Sequence, residues 1–236
     1  MQDEHIAKRK LSDEVLDRLK RMVVDEAMRP GTNMPSEREL MLRFGVGRPA
    51  IREAMQALSN IGMVEINHGE RARVLEFNAA SIFRQLDQSA RILFQRSADS
   101  LEHLKTARIF FERGMVREAA MQATPGDLAE LRAILEEQRR SLGDAERFIA
   151  SDMRFHSRIA SISGNPIFIA ASEAMLSWLR SYHDEMLIWT GKEKYTLAEH
   201  EEIISHLVSH DSQAAEEAMV KHLERSRTLR ALTGQG

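Results

Sequence analysis

The 236-residue chain contains no cysteine and no long hydrophobic run. Without cysteine it can form neither disulfides nor thiolate metal sites, which agrees with a reducing cytoplasm. No signal peptide and no apolar span of about 20 residues is recognisable, so we expect a cytoplasmic protein that does not enter a membrane. Excess positive charge is also absent, because the net charge is −3. Any nucleic-acid surface must therefore come from local clustering of arginines.

Helical periodicity dominates the chain and predicts a mainly α fold. In the N-terminal part it predicts helices over residues 11–28, 36–43 and 47–60. Ser36 and Glu39 form a capping-box pattern, and Gly45 allows a sharp turn before the third helix. After Gly62, the segments MVEI and RARV around NHGE predict two short strands joined by a glycine turn.

Everything beyond residue 79 has the pattern of helices. The predicted ranges are 79–96, 100–123, 126–142, 145–163, 166–190, 194–210 and 212–232. We therefore predict a winged helix-turn-helix domain at residues 1–75, a linker at 76–79, and an all-helical domain of about six or seven helices at 80–233.

The order of elements in the first 75 residues is that of a DNA-binding winged helix-turn-helix. In this motif the second helix of the pair enters the major groove with its N-terminal residues at the base edges. Arg48, Pro49 and Arg52 occupy those positions, and one arginine can grip guanine while the other contacts phosphate or base. The other arginines suited to backbone or minor-groove contact are Arg38 and Arg43 on the preceding helix and Arg71 and Arg73 on the hairpin.

Charge alone does not identify this module, since residues 1–76 contain 13 Lys and Arg against 13 Asp and Glu. Two arginines one turn apart are, on most helices, simply solvated surface. The capping box, the turn, the two arginines and the wing occur here in the order of the motif, which favours DNA recognition.

The segment PSERELMLRFGVGRPAIREAMQALSNIGMVEI closely resembles the DNA-binding module of GntR-family bacterial transcription regulators. The shared features are the Pro-Ser-Glu-Arg opening, a following arginine, Arg-Glu-Ala and a leucine, and the resemblance covers about 65 residues. Many members carry a Gly-x-Gly turn in the wing, whereas this chain has Asn67-His-Gly-Glu70. That variant is similar to the wing of the sialic-acid-catabolism repressor group.

Several polar residues of the helical domain lie where the pattern predicts buried positions. Asp152 and His156 are one turn apart among apolar residues, while His200 and His222 lie in the apolar stripes of the last two helices. Arg108 also shares a face with apolar residues. Burial without partners would cost several kcal/mol for each group, so something must satisfy them.

A hydrogen-bonded core residue is the ordinary explanation for one buried histidine. Three histidines and an aspartate on the inward faces of three helices form a donor set suited to a divalent metal. Asp152 and His156 are the pair one turn apart on the same helix. A zinc-protease motif is excluded, because no second histidine follows His200-Glu201 at the required spacing. His183 is either a pocket contact or a core residue.

Residues 79–232 resemble the all-helical FCD effector domain of the FadR-type GntR subfamily, with the Asp-x-x-x-His pair as the most specific mark. The resemblance implies that an aspartate and three histidines hold a divalent metal, zinc in the first place and nickel as the alternative. These ligands are Asp152, His156, His200 and His222. It further implies that Arg108 pairs with an effector carboxylate, which suits its forked geometry. Asn165 is either an effector contact or the cap of the helix that begins at Pro166.

These features predict a cytoplasmic homodimer that regulates transcription, represses a catabolic operon and has no enzymatic activity. Its partners would be palindromic operator DNA, which a two-fold protein reads, and a small carboxylic acid of the sugar-acid, hydroxy-acid or aromatic class.

Two other functions are compatible with the same residues. A metal-dependent hydrolase or isomerase with an appended DNA-binding module would use the same His and Asp groups, but no general base is evident beyond them. An architectural DNA binder would use its helical domain only to dimerise, which Arg108 and the histidines oppose. Turnover of candidate acids would identify the enzyme, and the absence of effector-dependent DNA release would identify the architectural protein.

Overall fold

The computed structural model describes residues 9–25, 27–95, 99–180 and 193–233, with side chains up to residue 225 and without that of Gln95. The chain folds into two compact units, Met1–Gln85 and Leu86–Gly236, and the division falls within a helix. No helix in the described ranges is long and apolar enough to cross a membrane.

The first unit contains three helices and a small antiparallel sheet, as the sequence predicts. Its elements are α1 (Leu11–Asp25), α2 (Glu37–Phe44), α3 (Arg48–Asn60), β1 (Val64–Glu65), β2 (Arg73–Val74) and the start of α4 (Ala79–Gln95). Apolar residues of the three helices meet in one core, in which Leu19, Leu40 and Ile51 are fully buried. Each such side chain contributes roughly 1.5–3 kcal/mol by leaving water.

Local side-chain chemistry sets both ends of α2. Ser36 Oγ accepts a hydrogen bond from the Glu39 N–H, and Glu39 Oε2 accepts one from the Ser36 N–H at 2.7 Å, so the predicted capping box is present. Gly45 ends the helix with φ +67°, a conformation that is unfavourable for a residue with a Cβ. The turn between α2 and α3 therefore depends on a glycine.

One local prediction in this unit needs correction, and one backbone pairing was not predicted. We expected α1 to reach residue 28, but it ends at Asp25, and Ala27 takes a left-handed conformation with φ +47° while its N–H bonds the Val24 carbonyl. The two predicted strands are present, but the sequence did not predict that residues 31–34 lie along the other side of β2, with an isolated bridge between Asn33 and Arg73. The Gly31 N–H donates to the Val74 carbonyl at 2.8 Å and the Met34 N–H to the Ala72 carbonyl at 2.7 Å.

The second unit is helical throughout its described residues and begins with the remainder of α4. Its other helices are α5 (Ser100–Gln122), α6 (Pro125–Arg140), α7 (Ala145–Ile162), α8 (Pro166–Arg180), α9 (Glu193–Val208) and α10 (Ser212–Thr233). The predicted continuation of α8 to residue 190, together with His183, lies outside the described residues.

One large core joins α5, α6, α7, α9 and α10, with Phe155, Ile203 and Leu207 among its fully buried side chains. Prolines begin α6 and α8, each behind a capping side chain: Thr124 Oγ1 accepts from the Asp127 N–H, and Asn165 Oδ1 accepts from the Ile167 N–H at 3.0 Å. Both α6 and α8 pack against α7, which carries two of the predicted metal ligands.

Candidate DNA interface and metal centre

The start of α3 is an exposed positive surface. Gly47 precedes the helix and has no side chain to cap it, so no side chain satisfies its first N–H groups. Arg48, Pro49 and Arg52 are all exposed around this end. A helix N-terminus flanked by arginines is suited to phosphate and to electronegative base edges.

Both arginines of α3 share one carboxylate of α2. Arg52 Nε donates to Glu37 Oε1 at 2.8 Å, and Arg48 Nε lies 3.7 Å from Glu37 Oε2. Exposed ion pairs of this kind contribute only about 0–1 kcal/mol. DNA acceptors can therefore replace Glu37 at little cost.

The other predicted DNA contacts are exposed as well; they are Arg38, Arg43, Arg71 and Arg73. The backbone of Arg73 pairs with Glu65 on one side and with Asn33 on the other. The DNA contacts of these arginines stay predictions.

The four predicted metal ligands come together inside the second unit. Asp152 and His156 on α7, His200 on α9 and His222 on α10 are buried, and one ligand atom from each lies within 4.8 Å of all the others. The His222 and His156 Nε2 atoms are 3.3 Å apart, and Asp152 Oδ1 is 3.5 Å from His200 Nε2.

A hydrogen-bonding partner sets the tautomer of each histidine. The Asp152 carboxylate can only accept, so the Gln138 amide donates to it through Nε2 at 3.1 Å. The Gln138 Oε1 atom therefore faces His200 Nδ1, 2.9 Å away, and that nitrogen must carry the proton. His200 Nε2 is then a lone pair aimed at the cluster, and it has no hydrogen-bond partner among the described residues.

The other two histidines are arranged in the same way, with carboxylates as partners. His222 Nδ1 donates to Glu199 Oε2 at 2.8 Å, and His156 Nδ1 pairs with Glu112 Oε2. Both Nε2 atoms are then also lone pairs. Metal-bound histidines in proteins commonly donate their second ring nitrogen to a carboxylate or an amide oxygen in this manner.

This arrangement fits a divalent cation better than a hydrogen-bond network. A hydrogen bond between the His156 and His222 Nε2 atoms would need a proton on one of them, and hence a buried imidazolium. Two ligand atoms held about 2.1 Å from a tetrahedral zinc ion lie roughly 3.4 Å apart, close to the observed separation. Three imidazole nitrogens and one carboxylate are a donor set that zinc and nickel accept.

Burial keeps the histidines in the form that can coordinate. Burial and the neighbouring histidines hold the pKa of His200 well below its usual 6.5. Burial also lowers the pKa of His222, although its hydrogen bond to Glu199 opposes the shift. Burial alone would raise the pKa of Glu112, but Arg108 and His156 outweigh it and lower that pKa to about 2. Glu112 is therefore a carboxylate at neutral pH.

Arg108 lies beside this cluster, as its position in the apolar stripe predicts. Its Nε pairs with Glu112 Oε1, while its buried Nη2 has no hydrogen-bond partner among the described residues. A buried guanidinium nitrogen without an acceptor favours an anionic ligand. Asn165 makes the cap of α8, which is one of its two predicted roles.

Sequence reasoning did not single out the residues that orient the histidines. These residues are Glu112, Gln138 and Glu199, all buried. Each lies on a helix face shared with apolar core residues, the same signal that identified the histidines. Arg225 was missed too, and it pairs with both oxygens of Glu199 at 2.7 Å.

Comparison with known proteins finds a matching family for each of the two units. Residues 11–74 match the bacterial regulatory proteins of the gntR family, and residues 103–225 match the FCD domain. The chain belongs to the GntR family. The predicted family, its FCD subfamily and the mainly α fold with a winged helix-turn-helix are thereby confirmed.

Named relatives of this GntR protein are similar over almost its whole length. The HTH-type transcriptional repressor NanR of Enterobacter sp. (strain 638) is 38% identical over 98% of this chain and 89% of its own. The protein of that name from Cronobacter sakazakii is 39% identical over 92% and 84%. The chain is accordingly a DNA-binding transcriptional repressor of the GntR family and not an enzyme.

Two solved structures share the fold. Streptococcus agalactiae GntR superposes with a TM-score of 0.68 at 22% identity, covering 92% of this chain and 99% of its own. E. coli McbR/YncC superposes with a TM-score of 0.52 at 18% identity, covering 95% and 99%.

Proposed function

We propose that this GntR repressor is released from its operator by a small carboxylic acid that binds beside a divalent metal ion in the second unit. The observation that carries the proposal is the convergence of three histidine lone pairs and one carboxylate in a buried site. The metal would be zinc in the first place, with nickel as the alternative, and its ligands Asp152, His156, His200 and His222. A Lewis acid of this kind supplies one fixed positive centre to which an effector oxygen can bind.

The charges around the site favour a monoanionic ligand. The Arg108–Glu112 and Arg225–Glu199 pairs each have no net charge, and a histidine that coordinates a metal contributes a neutral imidazole. A divalent cation on Asp152 would leave one positive charge buried, which is costly unless an anion compensates it. One carboxylate group would neutralise the site and satisfy the free Nη2 of Arg108.

Among carboxylic acids, a sugar acid is the first to test. The relatives with 38–39% identity are named NanR, a repressor of sialic acid catabolism, and sialic acid carries one carboxylate. Uronic, hydroxy and aromatic acids fit the same charge requirement. Asn165 stays a proposed effector contact, since its side-chain amide nitrogen is not needed for the cap of α8.

On DNA, α3 would lie in the major groove of a palindromic operator, with a cytoplasmic homodimer reading both halves. The proposed contacts are Arg48, Pro49 and Arg52 at the base edges and Arg38, Arg43, Arg71 and Arg73 on the backbone and minor groove. Effector and metal would favour one arrangement of the helical units and so change the spacing of the two recognition helices.

The test measures DNA release directly. A duplex selected by the protein from a random pool is bound to zinc-loaded protein, and sialic acid, glucuronate, lactate, citrate and benzoate are titrated in turn. We expect at least one acid to weaken DNA binding tenfold or more, and its methyl ester, which lacks the charge, to have no effect. Arg108→Gln should abolish the response, whereas His103→Ala, an exposed residue of the same helix, should leave it unchanged.

Two results would contradict the proposal. One is that none of the five acids changes DNA affinity with zinc or nickel present. The other is that the effective acid acts equally well on chelator-treated protein, which would separate the effector from the metal.

A further inference from the structure

Glu112 lies between two groups of the site that have different proposed roles. Its Oε1 pairs with Arg108 Nε, and its Oε2 pairs with His156 Nδ1. The three side chains are 4%, 15% and 0% exposed, respectively, so water hardly screens the contacts. One carboxylate thus touches both the arginine proposed for the effector and a histidine proposed for the metal.

The Nδ1 partners of the other two histidines do not pair with Arg108 in the described part of the chain. His222 is held by Glu199, which pairs with Arg225 and not with Arg108 among the described residues. His200 is held by the neutral amide oxygen of Gln138. Arg108 also keeps Nη2 without a hydrogen-bond partner in the described part of the chain, so an acid can bind there without displacing Glu112.

We propose that Glu112 is a positioning residue that couples effector binding to metal binding; this rests on the function proposed above. An acid on Arg108 draws guanidinium charge away from Glu112, whose carboxylate then accepts the His156 Nδ1–H more strongly. The Nε2 atom of His156 becomes a better electron donor, and metal affinity rises. Because coupling is reciprocal, metal binding raises the affinity for the acid by the same factor.

The experiment needs only zinc and no knowledge of the effector. Zinc affinity is measured by competition with a chromophoric chelator in the full-length wild type, Arg108→Gln, Glu112→Gln and the double variant. We expect Glu112→Gln to weaken zinc binding by about 10–100-fold. Arg108→Gln should change zinc affinity by one factor in the wild-type background and by another in the Glu112→Gln background. We expect these two factors to differ at least fivefold.

Glu199→Gln is the matched control, since Glu199 is a buried carboxylate that holds a histidine Nδ1 without contacting Arg108. Glu199→Gln should weaken zinc binding as well. In a protein with both Glu199→Gln and Arg108→Gln, however, the change in zinc affinity should equal the product of the two single changes. Glu112→Gln could fail to fold because Arg108 loses its partner. In that case the zinc affinity of the double variant is still measurable, since that variant removes both charges together. Purified Arg108→Gln then supplies the comparison for zinc affinity, and an equal affinity in those two proteins would overturn the proposal.

The two possible failures are distinguishable. Wild-type protein that binds no zinc or nickel would overturn the proposed function itself. Tight zinc binding in the wild type, combined with independent effects of Arg108→Gln and Glu112→Gln, would leave the metal site standing and overturn only the coupling through Glu112.

Discussion

Two arginines, Arg48 and Arg52, carry the DNA-recognition proposal at the scale of single residues. In the protein without DNA both contact Glu37, so binding must exchange that carboxylate for base or phosphate acceptors. A guanidinium that binds guanine discriminates between sequences, whereas one that binds phosphate mainly adds affinity. Arg52 and Arg73 allow these two roles to be separated.

Arg52→Ala should cost about 1–3 kcal/mol of specific binding and relax the sequence preference. Arg73→Ala should weaken binding evenly across sequences and lower the salt slope by about 1, since it would remove one phosphate contact. Fluorescence anisotropy with the selected duplex and a scrambled duplex, at several salt concentrations, measures both. Unchanged affinity and specificity in Arg52→Ala would show that α3 is not the recognition helix.

The buried cluster could be predicted from the sequence because His156, His200 and His222 interrupt apolar stripes with groups that cannot be buried unpaired. Their partners Glu112 and Gln138 interrupt such stripes too. A glutamate or glutamine on a long helix, however, is ordinarily solvent-facing, and its pattern does not reveal which neighbour it meets. Pairings between α5, α6 and α7 depend on how the helices pack, which periodicity does not encode.

At the scale of secondary-structure elements, some helix ends could be predicted from neighbouring residues and others could not. The starts of α2, α6 and α8 were predictable, because Ser36, Thr124 and Asn165 cap their own helices within three residues. The end of α1 was not, because Ala27 adopts a left-handed conformation usually reserved for glycine. The pairing of residues 31–34 with β2 was missed because that segment lacks strand-like alternation.

The cap of α2 gives a prediction about the DNA-binding unit. Ser36→Ala removes the acceptor for the Glu39 N–H and should lower the free energy of unfolding of this unit by about 1 kcal/mol. Urea denaturation followed by circular dichroism measures the change. Ser59→Ala, inside α3, is the control and should not lower the stability, because alanine is the better helix former. Equal stability of the Ser36 variant and the wild type would mean that the cap contributes nothing.

At the scale of the whole molecule, the chain joins a DNA-binding unit to a helical unit that we propose to sense a metal and an acid. The chain's membership of the GntR family and its repressor function rest on similarity along nearly its full length. The proposed sensing rests on the buried site in which Asp152, His156, His200 and His222 converge. A metal that binds the folded but not the unfolded chain stabilises it by mass action.

Lowering the pH should weaken this stabilisation. Burial lowers the pKa of His200 and His222 below 6.5, so the unfolded chain binds more protons than the folded one as the pH falls below that value. The contribution of the neutral histidines to stability is therefore complete above pH 6.5 and is lost as the pH falls through their folded pKa values. Metal release follows the same direction, because protonated imidazole cannot coordinate.

The most direct test is the thermal unfolding of native, chelator-stripped and zinc- or nickel-reloaded protein at several pH values, with elemental analysis of the native sample. We predict a divalent metal in the native protein, a lower melting temperature after stripping, and recovery worth about 2.7 kcal/mol at metal 100-fold above its dissociation constant. The recovery should shrink below pH 6.5 and be absent in His156→Ala, but persist in His103→Ala. Metal-free native protein with no thermal shift on adding any divalent ion would contradict the account and leave Asp152, His156, His200 and His222 as a buried hydrogen-bond network.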